Sequence, residues 1–188
     1  MSEPIIYTEQ EAPIEEICET LAAGKVIVYP TDTLYALGAD PQQSKAIEKL
    51  FTLKQRSQEK KIAYIFSDLE QVSHHAKITD VAKSLVKYLP GKLTIILESK
   101  KNTGETIGVR IPDNEFCRTL ATTYGPITAT SANISGEKDP NTISDILQQL
   151  SNGIALAIDG GVLHGPASTV VDARGDTIKI LRQGAVTI

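Results

Sequence analysis

Ten polar residues stand beside segments that read as strand ends: Thr31, Thr33, Lys54, Arg56, Lys60, Arg110, Ser131, Asn133, Ser168 and Arg182. Ligand sites in open α/β sheets gather at such ends. Five of the ten are cations and the rest are hydroxyls or an amide. That inventory suits an anionic ligand, and can hold a triphosphate and a small zwitterion without a metal cage. Each residue also has a local reading: the threonines and Ser131 as turn formers, Lys54 and Arg56 as a solvated helix end. Arg110 is the sharpest of the set. It falls inside the apolar run IGVRI, where a guanidinium must reach solvent or meet a partner in an inward cleft.

Other chemistries lack their residues. Pro90-Gly91-Lys92-Leu93-Thr94 has no earlier glycine and runs into a strand, so it is no P-loop. Neither G-x-G-x-x-G nor G-x-S-x-G occurs, and His74, His75 and His164 have no metal-like spacing, so no metal ligand set is assigned. His74 and His75 read as surface residues at a helix end. Cys18 and Cys117 lie on apolar helix faces without a C-x-x-C pairing and read as buried, reduced thiols.

The elements that must carry these residues follow from periodicity. Ile14, Ile17, Leu21 and Ala22 form a helical stripe ending at Gly24, which predicts a helix at about 13 to 23. KVIVYP, closed by Pro30, reads as a buried strand delivering the loop TDTLYALGADP. Further helical stripes run through Ala46 to Leu53, Val81 to Leu89, Phe116 to Leu120 and Ile143 to Leu150. Strands are expected at IAYIF, LTIILE, TIGVRI, PITAT, IALAID, STVVD and IKIL. Strands and helices interleave irregularly, so the expected class is α/β with a mixed sheet, α+β being the neighbouring alternative.

The chain of 188 residues shows no break in composition and reads as a single domain over 1–188, without internal repeats. Hydrophobic residues at 41% and charged residues at 22% permit a full core. A formal charge of -4 argues against a surface built throughout to trap phosphate backbone, leaving room for a local basic cleft. No stretch approaches the roughly 18 apolar residues of a membrane span, and the N-terminus has no signal-like h-region, so the expected location is the cytoplasm.

Taken in order, VIVYPTDTLYALG, LKQRSQEKK, LPGKLTIIL, IGVRIP, TATSANISG, DGG followed by STVVD, and ILRQGA resemble the YrdC/TsaC family over roughly residues 13 to 186. The distinctive element is a K-x-R segment paired with a later S-x-N, here Lys54, Arg56, Ser131 and Asn133. The resemblance implies a single twisted open mixed sheet with flanking helices and a large, positively lined cavity. It implies an enzyme making threonylcarbamoyl-AMP and pyrophosphate from L-threonine, bicarbonate and ATP, with Mg2+ accompanying the ATP. The product would pass to a separate transferase complex that modifies the adenosine beside the anticodon in tRNAs reading codons that begin with A.

By position, Thr33, Arg110, Ser131 and Ser168 match the family's threonine contacts. Arg56, Lys60, Thr106, Asn133, Asn141 and Arg182 match its ATP contacts, and Lys54 should add positive charge near the phosphates. Lys54, Arg56, Ser131 and Asn133 are the expected catalytic group, acting by positioning and cationic stabilisation, with Arg110 gripping the carboxylate. Leu34 or Ile65 are candidates to meet threonine's methyl group. The chain has Ser57 and Lys61 where the family often has proline, and the expectation is a single-domain member without the extra C-terminal domain of longer ones.

Two alternatives remain. A YciO-like relative would keep the fold and cleft without the synthase activity, and YALG and TIGVR resemble that branch. A double-stranded RNA or ribosome-maturation binding module would use the same positive charge on phosphate backbone, with weak tRNA or double-stranded RNA binding as its minor form.

Overall fold

A computed structural model describes residues 3–57, 61–101, 104–150 and 152–188. In chain order the strands are β1 Ile5–Thr8, β2 Val26–Tyr29, β3 Ala36–Gly38, β4 Ala63–Ile65, β5 Ala76–Lys77, β6 Leu93–Ser99, β7 Thr106–Arg110, β8 Ile127–Ser131, β9 Ile154–Asp159, β10 Thr169–Asp172 and β11 Lys179–Arg182. The helices are α1 Ile14–Ala22, α2 Ser44–Leu53, α3 Leu69–His75, α4 Asp80–Lys83, α5 Glu115–Tyr124 and α6 Ile143–Gln149.

The strands form one open mixed sheet in the order β1-β9-β2-β3-β8-β4-β7-β6-β10-β11, with β5 pairing β6. Parallel pairs (β1/β9, β2/β9, β4/β7, β6/β10) alternate with antiparallel ones such as β3/β8, β4/β8 and β6/β7. The expected fold class is observed.

All four residues of β2 are buried because the strand is covered on both faces, as expected for a continuous β-branched run. Ile27 and Tyr29 pack with Ile17 and Leu21 of α1 and Phe116, Cys117 and Leu120 of α5. Val26 and Val28 face the opposite layer, against Leu50 of α2 and Ile143 and Ile146 of α6. A third cluster under β6, β7 and β10 joins Leu93, Ile95, Val109 and Val171 to Val72 and Leu85. Short helices are started by side-chain caps: Asp68, Thr79, Asn114 and Thr142 each accept from the amide three residues on.

Three local readings change. The stripe at 81 to 89 is a four-residue helix followed by a 3-10 turn at Val86–Tyr88, since Pro90 holds Leu89 extended and cuts the helix short. The short strand β3 lies inside the segment read as a loop. The edge strand β1 was not expected, because Ile5 and Ile6 are half exposed and show no alternation.

Candidate functional site

A cleft of about 540 Å³ opens on one face of the sheet, within the size range of small-molecule sites. Its floor is one register row. Asp172, Ile96, Gly108, Ala63 and Ala129 are successive partners across β10, β6, β7, β4 and β8, and all five line the cleft. The row is low because its centre is small. A Cβ at Gly108 would lie 3.0 Å from Ala63 Cα and 3.1 Å from Ala63 Cβ.

Around this floor stand Thr33, Arg56, Thr106, Arg110, Ser131, Ser168 and Arg182, which come from six separate segments of the chain. Among the described residues, the lining carries five cations, Arg56, Lys61, Arg110, Arg174 and Arg182, against Asp139 and Asp172. Asp172 is held by Arg174, which donates to both carboxylate oxygens and keeps the carboxyl below its ordinary range.

The K-x-R segment is a helix terminus. Gln55 takes a left-handed φ of +48°, Arg56 N–H donates to the Phe51 carbonyl, and Gln55 N–H donates to Thr52. These are the two bonds of a Schellman motif, with Lys54 as the cap residue. The reversal sends the two basic side chains to different places.

Arg56 reaches the cleft, where Nη2 donates to the Lys61 carbonyl at 2.9 Å and Nη1 to Thr130 Oγ1 at 3.3 Å. Among the described residues its buried Nε has no partner, and burial lowers its pKa. Lys54 turns behind the wall instead. It is 1% exposed, and Nζ donates to the Ser131 carbonyl, to the Asn133 carbonyl at 2.9 Å and to Asn133 Oδ1 at 3.0 Å.

Burial, reinforced by Arg56 and opposed by Asp139, lowers the Lys54 pKa to about 8. Three acceptors around one nitrogen match an ammonium group. The expected placement of Lys54 charge against phosphates therefore gives way to a buried strut.

Asn133 is likewise behind the wall. Its Oδ1 accepts from Lys54 and from Ser131 Oγ at 2.7 Å, and its Nδ2 donates to the Glu137 carbonyl at 2.8 Å. The amide oxygen and one Nδ2 hydrogen are thus tied to the loop, and Asn133 does not line the cleft in which the family likeness implied an ATP contact. Asn141 does not line the cleft, and its carbonyl accepts from Leu163 N–H. Lys60 lies outside the described residues. Leu34 lines the cleft, whereas Ile65 is buried in the core beside α5.

On the far side, Arg182 Nη2 donates to the Ser168 carbonyl at 2.8 Å and lies 3.2 Å from Ser168 Oγ, which in turn pairs with Thr94 Oγ1 at 2.9 Å. Residues expected to hold different ligands thus form one unit. Arg110 is 8% exposed; its Nη2 donates to Asp32 Oδ1 and to Thr33 Oγ1 at 2.6 Å, while its buried Nε has no partner among the described residues.

Asp32, Asp139 and Arg174 were not singled out from the sequence. An acid between two threonines reads as a turn former, and the other two sit in polar loops. Cys18 and Cys117 are free, and burial raises both thiols. His74 is exposed, and His75 is part-buried with its ring edge-on to Phe66 at 5.5 Å.

The sequence model of the Sua5/YciO/YrdC family, described as telomere recombination, matches residues 19–184. A protein of Methanocaldococcus jannaschii named putative threonylcarbamoyl-AMP synthase is 33% identical over 187 residues, covering 96% of this chain and 89% of that protein. The structure of P. abyssi Sua5 complexed with L-threonine superposes with a TM-score of 0.88 at 30% identity, over 97% of this chain and 58% of that one. E. coli YciO gives a TM-score of 0.87 at 29% identity, over 98% and 96% of the two chains.

Proposed function

The chain belongs to the Sua5/YciO/YrdC family, and from that premise we propose that it is an L-threonylcarbamoyladenylate synthase. It joins L-threonine, bicarbonate and ATP, forming threonylcarbamoyl-AMP and releasing pyrophosphate as a nucleotidyltransferase. The observation that carries this reading is the convergence of Thr33, Arg110 and Ser168 with Arg56, Thr106, Ser131 and Arg182 around one cleft of about 540 Å³. Relatives named for this synthase support a transferase of tRNA modification.

The guanidinium of Arg110 receives the threonine carboxylate, and the hydroxyls of Thr33 and Ser168 recognise its polar groups. The unprotonated amine attacks the carbon of bicarbonate; a C–N bond forms and water leaves, giving a carbamate. A carbamate oxygen then attacks the α-phosphorus of ATP, the bond to the β-phosphate bridge oxygen breaks, and pyrophosphate departs. Arg56, Arg182 and Lys61 are the cleft cations available to the charge that grows on the phosphates. Lys54 and Asn133 act from behind by fixing Ser131. No covalent nucleophile is required, and orientation with charge stabilisation supplies the catalysis.

Magnesium arrives with ATP as part of the substrate. Among the described residues no group of three His, Cys, Asp or Glu side chains could hold a metal ion. The product passes to a transferase complex acting on tRNAs that read codons beginning with A. On this reading the protein works in the cytoplasm, where that transferase complex acts. No helix among the described residues is long and apolar enough to cross a membrane.

The similarity to E. coli YciO along nearly the whole of both chains favours a second reading, a relative without this activity. Pyrophosphate release with ATP, magnesium and bicarbonate, compared between L-threonine, serine and no amino acid, separates the two. Threonine-dependent release with a product of threonylcarbamoyl-AMP mass establishes the synthase. No release and no threonine binding favours the YciO-like reading, and salt-sensitive retention of double-stranded RNA in that case favours an RNA-binding role.

A further inference from the structure

Asp32 does not line the cleft, yet it is the protein group most directly in control of a residue that does. Its side chain is 5% exposed and that of Arg110 9%. One carboxylate oxygen accepts from Arg110 Nη2, and the other accepts from the Asp113 amide at 3.1 Å, just before α5. Nη2 is further engaged by Thr33 Oγ1 at 2.6 Å and lies 3.4 Å from Thr31 Oγ1. The loop between β2 and β3 therefore commits this nitrogen wholly to the protein.

The Nε of Arg110 is treated differently, being buried without a partner among the described residues. A buried ion pair serving only the fold would be expected to have its donors satisfied, since an unmade bond to a buried guanidinium is costly. Here one side of the guanidinium is over-determined and another donor is left over in a residue that lines the cleft. Clamping one nitrogen with a carboxylate and two hydroxyls removes the rotational freedom that a ligand would otherwise have to freeze on binding.

We infer that Asp32 is a positioning residue for amino-acid binding: it sets the guanidinium of Arg110 in the orientation that receives the ligand's carboxylate. The inference rests on the threonine-binding reading above. Asp32 touches no substrate, so its whole effect passes through Arg110.

Calorimetric titration with L-threonine and, separately, with ATP tests this in wild type, Asp32→Asn, Arg110→Gln and the double variant. Asp32→Asn weakens threonine binding on the order of 10- to 100-fold, and leaves ATP affinity within about twofold. In the Arg110→Gln background the same change has no further effect on threonine. Wild-type threonine affinity in Asp32→Asn overturns the inference, as does an equal loss in the Arg110→Gln background, since Asp32 would then act independently of Arg110.

Should Asp32→Asn not fold, Asp32→Glu keeps the charge but moves it by one methylene. Reduced threonine affinity in that variant supports the inference, and unchanged affinity overturns it. If wild-type protein binds no threonine and releases no pyrophosphate, the functional reading itself fails and the inference falls with it, a result distinct from a wild type that binds and a variant that binds equally.

Discussion

Lys54 Nζ lies 2.9 Å from the carbonyl oxygen of Asn133 and 3.0 Å from its Oδ1, so one enclosed ammonium holds both the backbone and the side chain of a residue 79 positions away. Ser135 N–H closes the same loop onto the Lys54 carbonyl at 2.8 Å. Lys54→Met keeps the aliphatic length but takes one donor from three acceptors in a buried site: Asn133 Oδ1 keeps Ser131 Oγ and the Ser131 carbonyl keeps the Asn133 amide, while the Asn133 carbonyl loses its ammonium donor. The expected cost is on the order of 2 kcal/mol in urea unfolding at neutral pH. Pyrophosphate release should also fall, through misplacement of Ser131. A variant as stable and active as wild type would show that the loop holds its shape without the strut.

The same residue gives a stability signature in pH. Folding lowers the Lys54 pKa from 10.5 to about 8, so between these values the unfolded chain binds the proton more tightly. Its contribution is least favourable below about pH 8 and improves as pH rises towards 10.5. The raised thiols of Cys18 and Cys117 act in the opposite direction, losing stability as pH rises, which makes the difference between wild type and Lys54→Met the informative curve. The deficit of the variant should widen over that window, by at most about 3 kcal/mol. A deficit that narrows would mean that the ammonium form is the one the fold favours.

The central strands were legible because burial on both faces writes itself as continuous apolar runs, and α1, α2, α5 and α6 because each buries one stripe. β1 escaped since an edge strand with exposed isoleucines has no burial period, and β3 since three residues carry too little pattern. In the site, residue types and spacing drew attention to Thr33, Arg56, Arg110, Ser131, Ser168 and Arg182, and the family likeness added Thr106; all seven border the cleft. Spacing does not distinguish Arg56 in the wall from Lys54 behind it. That difference is made by the left-handed turn at Gln55, which no apolar period encodes.

Gln55 provides the next prediction. A non-glycine residue in the left-handed region is strained, and the residue is exposed. Gln55→Gly relieves that strain and gives back part of it in unfolded-chain entropy. A net gain of about 0.5–1 kcal/mol in denaturant unfolding is expected. A loss would mean that the Gln55 side chain contributes more to the cap than its conformation costs.

Arg56→Ala and Ser131→Ala test the cleft directly. Among the described residues, Arg56 is part-buried with an unpartnered Nε, and the Ser131 hydroxyl is held by one bond, to Asn133 Oδ1. Neither belongs to an apolar cluster, so unfolding free energies should stay within about 1 kcal/mol of wild type. Threonine-dependent pyrophosphate release should nevertheless drop by at least roughly 100-fold in each. Near wild-type turnover in either variant would remove that residue from the site.

The register row beneath the cleft gives a graded test. A Cβ at Gly108 would press on Ala63 at 3.0–3.1 Å, and Ile96 Cδ1 is 3.4 Å away, so Gly108→Ala must push neighbours aside and Gly108→Val must push them further. Overpacking of this kind costs about 1–3 kcal/mol, and the larger side chain also rises into the space above Ala63 and Ala129. Ligand affinity should therefore fall from glycine to alanine to valine, whereas Gly175→Ala, whose Cβ would meet nothing within 4 Å, should leave both stability and binding near wild type. Calorimetry with ATP and with threonine reads the order, and thermal unfolding reads the strain. If Gly108→Val loses stability but binds both ligands as tightly as wild type, the row supports the sheet without forming the surface on which they lie.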